Sequence, residues 1–127
     1  MLITLAIMYV VPFPIYGGLS MVTDIEPPSP DSPGLFMLSV LVVKVGVAIG
    51  FVLLFYFGRS HWLENWKTYA GVWWAMFAIM EVGQAIVPDY SWLDAFGGIM
   101  AEAIYFPVSA VVVVRLVRPL GGSDASA

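Results

Sequence analysis

Cysteine is absent from this 127-residue chain, and histidine occurs once. Without thiols there are no disulfides, thiolate metal sites, iron–sulfur clusters or cysteine nucleophiles. The lone imidazole, His61, excludes bis-histidine haem ligation within one chain, and it falls in a polar stretch beside Trp62. The methionines Met8, Met37, Met76, Met80 and Met100 follow no ligand spacing and read as packing or lipid-facing residues. No cofactor is expected. Charge is also scarce: Asp, Glu, Lys and Arg make up 11% of the chain, against roughly 25% in soluble domains. Five bases face nine acids, for a net charge of −4. The clustered cations that a phosphate backbone needs are missing, so nucleic acid is set aside as a partner.

What the chain has instead is apolar surface. Hydrophobic residues reach 61% and the mean hydropathy is +0.91. A soluble protein of this size needs polar outer faces on its helices and has no room to hide so much hydrocarbon. The chain therefore reads as an all-α integral membrane protein surrounded by the lipid bilayer. Its apolar start lacks a basic n-region and a small-x-small cleavage site, so the first stretch is expected to be a retained span.

About 20 helical residues cross the hydrocarbon core, which divides the sequence into four candidate spans, about 2–22, 35–57, 69–87 and 92–114, in one domain. The first contains Pro12, Pro14 and Gly17-Gly18, so a kink is expected at Pro12/Pro14. The connection 23–34 is proline-rich and forbids regular structure. In the second span Gly46 and Gly50 stand in a Gly-x-x-x-Gly arrangement suited to helix packing. Trp62, Trp66 and Trp92 flank the boundaries, as an aromatic belt would, while Trp73 and Trp74 lie just inside the third span, where a flat hydrophobic ligand is the sharper alternative. Ser91 and Asp94 carry the signal of a helix N-cap. Pro107 interrupts the fourth span, and residues 115–127 form a short polar tail. With four spans, Arg59, Lys67, Arg115 and Arg118 fall on one side, and Asp24, Glu26, Asp31, Asp89 and Asp94 on the other. The positive-inside rule then places both termini in the cytoplasm.

Three charges lie within the apolar stretches: Lys44, Glu81 and Glu102. At ~1.5 Å of rise per residue they sit about 13, 10 and 15 Å below the outer boundary, one level within boundary error. Tyr16 reaches a similar depth, Gln84 stands one turn from Glu81, and Glu102, Tyr105 and Ser109 make one stripe at spacings of three and four. Lys44, Glu81, Gln84, Glu102, Tyr105 and Tyr16 are accordingly the candidate proton, ion or ligand residues. Intramembrane charges face a bundle interior, pair, and mark function or assembly. The expected role is an accessory or assembly subunit, or homo-oligomer, of a membrane complex held by this Lys/Glu layer. One alternative is proton- or cation-coupled transport through an oligomer using Glu81 and Glu102. Another is a lipid-active enzyme, although no catalytic signature supports it.

Overall fold

The computed structural model describes residues 1–23, 32–88 and 90–118, and all regular structure among them is helical. Helix α1 covers Leu2–Val10 and α2 Pro12–Val22. The chain passes between them in helical geometry, with Val11 at φ −57°, ψ −37° and its N–H bonded to the Ile7 carbonyl at 3.0 Å. Pro12 and Pro14 supply no N–H, so the carbonyls of Met8 and Val10 lose their helical donors. The interruption falls at Val11, one residue before the expected proline.

Helix α3, Pro33–Phe57, begins with proline at its first position, where no donor is needed, and ends at Gly58. A single turn, α4 at Arg59–Trp62, leads to α5, Trp66–Ala85. Helix α6, Trp92–Val117, opens on the expected cap: the Ser91 hydroxyl accepts the Asp94 N–H at 3.0 Å. It continues through Pro107 and carries Arg115 in its last turn. It runs three residues into the stretch 115–127 expected as a polar tail, because the valines at 111–114 carry no helix breaker. The expected loop lies mostly in 24–31, outside the described residues together with Asp24, Glu26, Asp31, Asp89 and 119–127.

Three stretches are long and apolar enough to cross a membrane: Leu2–Val22, Pro33–Phe57 and Trp92–Val117. This makes the chain a multi-pass integral membrane protein on helix length and composition. Helix α5 has 20 residues, about 30 Å at ~1.5 Å each. It is less apolar because Trp66, Tyr69, Trp73 and Trp74 stand where aliphatic residues would, and Lys67, Glu81 and Gln84 interrupt it.

Helix α6 is the axis of the molecule. It packs along α5 and against α1 and α2, and it holds most of the buried residues. Ala95, Gly97, Gly98, Ala101 and Ala110 are buried on it, and such small residues admit close neighbours. Between α3, α5 and α6 lies an aromatic cluster. The Phe51 ring is 4.9 Å from Tyr69, 5.4 Å from Trp73 and 5.7 Å from Phe106. Phe77 approaches Phe106 at 5.2 Å. The expected glycine pair divides: a methyl group on Gly50 would touch Trp73 at 3.5 Å, whereas one on Gly46 would meet nothing within 4 Å. Gly50 packs within the chain and Gly46 does not, because Gly46 lies four residues away on an exposed part of α3.

Candidate functional site

The site is built on α6, which receives a polar side chain from each of α2, α3 and α5. Its floor is the pair Gly97-Gly98. A methyl group on Gly98 would lie 2.5 Å from Cδ of Glu81, and one on Gly97 would lie 2.9 Å from Cε1 of Tyr16. The lack of side chains there lets the carboxyl of α5 and the phenol ring of α2 lie directly on the α6 backbone. Any larger residue would occupy their space.

Hydrogen bonds fix this outer part. The Tyr16 hydroxyl donates to the Asp94 carbonyl at 3.1 Å, and the Tyr90 hydroxyl donates to Oε2 of Glu81 at 2.5 Å. Tyr90 stands in the connection between α5 and α6, outside both helices. Burial, reinforced by the bond to the Glu81 carboxyl, pushes the Tyr90 hydroxyl up from its ordinary pKa. It keeps its proton and remains a donor to Glu81.

One turn further along α6 the arrangement changes. Glu102 is 3% exposed, and its Oε2 has no hydrogen-bond partner among the described residues. The ammonium that could neutralise it is engaged elsewhere: Nζ of Lys44 donates to the Tyr105 hydroxyl at 3.1 Å and stands 4.6 Å from the centre of that ring. No direct ion pair joins Lys44 to Glu102 or Glu81 among the described residues. A phenol is a neutral acceptor with a negative ring face, so it holds the cation without cancelling its charge. Ser109 and Thr4 are fully buried, and their hydroxyl oxygens also lack partners among the described residues.

Of the residues singled out in the sequence, the structure brings Tyr16, Lys44, Glu81, Glu102 and Tyr105 to one side of α6 or its immediate neighbours. Gln84 does not join them. It is exposed, one residue before the end of α5, although it lies on nearly the same face as Glu81. Tyr90, Thr4 and the seat at Gly97 had no distinguishing signal in the sequence. The pairing of Tyr90 with Glu81 depends on how the chain turns between two helices, and Thr4 is one threonine in an otherwise apolar helix.

The arrangement can do two things chemically. It can hold a proton between two carboxyls that share one low-dielectric region, or it can supply oxygens to a small cation. Comparison with protein-family models, with curated proteins and with solved structures gives no match. The reading of the site rests on its own geometry.

Proposed function

We propose that this multi-pass membrane protein crosses the bilayer four times, with α5 as the remaining span and both termini in the cytoplasm, and that its polar layer exchanges a proton or a small cation. The observation that carries this is the Glu102 carboxyl, buried with one oxygen unpartnered among the described residues while the nearby Lys44 is bonded to Tyr105. A layer built only to lock helices together would satisfy its buried groups, since each unsatisfied one costs about 1–3 kcal/mol. This layer instead keeps acceptor capacity in reserve. Glu81 forms the outer member, reached through Tyr90, and Glu102 the inner member.

Proton flux in proteoliposomes, followed with an entrapped pH-sensitive dye, tests the reading. Glu102→Gln is expected to abolish flux while leaving the helical content and the detergent-extracted state unchanged. Flux equal to wild type in that variant would remove the proposal.

A second reading, an accessory subunit or homo-oligomer, is favoured by one separate observation: Gly46 lies on an exposed part of α3 with nothing within 4 Å of an added methyl group. That leaves room for the backbone of another helix. The two readings are compatible, since an oligomer interface would give the layer a path that a single chain lacks. The lipid-active enzyme gains no support from the two apolar grooves beside Pro107, neither of which is lined by Glu81 or Glu102.

A further inference from the structure

Helices α5 and α6 also carry two open apolar grooves that share Pro107 and are lined by none of the residues of the polar layer. One, of about 400 Å³, is walled by Trp66 and Trp74, floored by Gly71 and Ala103, and bordered by Lys67. The other, of about 350 Å³, continues along α6 from Pro107 to Arg115. Local chemistry explains the trough. Gly71 has nothing within 4 Å of an added methyl group, and Ala103 is exposed and small. Pro107 has no N–H, so the Ala103 carbonyl beneath the groove lacks its helical donor. The Trp74 indole N–H donates to the Ile99 carbonyl at 3.2 Å, which holds the ring as a fixed wall.

Each groove carries one basic residue. Lys67 shares its groove with Pro107, and Arg115 lies eight residues further along α6, about 12 Å at ~1.5 Å per residue. Nζ of Lys67 stands 5.7 Å from the centre of the Trp66 ring. Neither Lys67 nor Arg115 is paired with a carboxylate among the described residues. In a chain with nine acids and five bases, two exposed cations without acidic partners among the described residues, beside one apolar trough, suit an anion from outside the chain. On the four-span reading proposed above, on which this inference rests, the trough opens sideways to hydrocarbon, so the molecule that fits has an apolar chain and an anionic head.

We infer that this face binds a membrane lipid with an anionic phosphate headgroup, its acyl chain lying between Trp74 and Pro107 and its phosphate held near Lys67 and Arg115. Trp66 and Trp74 supply flat apolar walls, and the two cations supply selectivity over zwitterionic lipid. The site is independent of proton exchange at Glu102 and stands or falls separately.

The test uses the full chain in nanodiscs of phosphatidylcholine containing a minor fraction of phosphatidylglycerol. Lipid retained after transfer to mild detergent is counted by native mass spectrometry. Wild type is expected to retain phosphatidylglycerol in excess of its share. Lys67→Gln and Arg115→Gln should each lower that preference about fivefold. Gly71→Leu, which fills the groove where the structure has open space, should abolish retention of either lipid with unchanged circular dichroism. Retention in proportion to the nanodisc composition would overturn the site, as would full retention by Gly71→Leu. Anionic preference surviving the double variant Lys67→Gln/Arg115→Gln would overturn the assignment of the headgroup.

Discussion

Two neighbouring residues of α6, Tyr105 and Phe106, are both fully buried, yet they belong to regions built on opposite terms. Phe106 enters an aromatic cluster with Phe51, Trp73 and Phe77 whose rings fill the space between three helices. A polar atom at that cluster's edge, the Tyr69 hydroxyl, is satisfied by the Phe51 carbonyl at 2.5 Å. Tyr105 enters the layer of Lys44 and Glu102, where a buried carboxyl oxygen has no partner among the described residues. The first region is complete in itself and serves stability. The second leaves a buried acceptor unsatisfied among the described residues, which is the feature the proposed exchange rests on.

The largest expected effect breaks the aromatic side of this contrast. Phe106→Ala removes the ring that joins Phe51, Trp73 and Phe77, and should cost about 3–5 kcal/mol of unfolding free energy. Inside a membrane that cost comes from lost packing rather than from exposure to water. Reversible unfolding in mixed micelles measures it, and a loss below about 1 kcal/mol would show that the cluster is not the core.

Glu102→Met is the counterpart on the polar side. The Glu102 carboxyl oxygen Oε2 has no hydrogen-bond partner among the described residues to be orphaned, so an apolar group of similar length removes the cost of burying a carboxyl and should lower stability little. The same unfolding assay should therefore show little loss while flux disappears. Destabilisation comparable to Phe106→Ala would mean that Glu102 is a structural lock and would return the layer to the assembly role.

Gly98→Ala sharpens the boundary between the two regions. The new methyl group would come within 2.5 Å of the Glu81 carboxyl carbon, so either that side chain moves or the helices separate. Overpacking of this kind costs about 1–3 kcal/mol. A smaller effect, about 1 kcal/mol, is expected for Tyr90→Phe, which removes one partly buried hydrogen bond to a carboxyl. Both variants should perturb the Glu81 carboxyl bands in difference infrared spectra, and an unaltered spectrum in Tyr90→Phe would break the assigned contact.

Much of this was legible in the sequence because it depends on local or one-dimensional rules. The Ser91 cap and the three stretches long and apolar enough to cross a membrane follow from backbone donors and from the run of apolar residues. What was not legible depends on where helices end and on turns. Glu81 meets α6 while Gln84, one residue before the end of α5, is exposed, and a one-turn spacing does not determine it. Tyr90 reaches Glu81 only because the short connection folds it back. The ion pair suggested by two acids and one lysine gives way to a Lys44–Tyr105 bond, since a stripe on α6 places the phenol nearer to the ammonium than either carboxyl.

The smallest effect on the isolated chain is expected at Gly46, and it bears on whether the incomplete layer works alone. Nothing lies within 4 Å of an added methyl group there, so Gly46→Leu should change unfolding free energy by no more than about 0.5 kcal/mol. If a second helix packs on that part of α3, a leucine would hold the backbones apart. Fluorescence energy transfer between labelled copies in liposomes should then fall. Loss of transfer together with loss of flux would place the path at the interface between chains, whereas loss of transfer with flux retained would place it within one bundle. Unchanged transfer would remove Gly46 as a contact between copies and leave the exposed side of α3 to lipid.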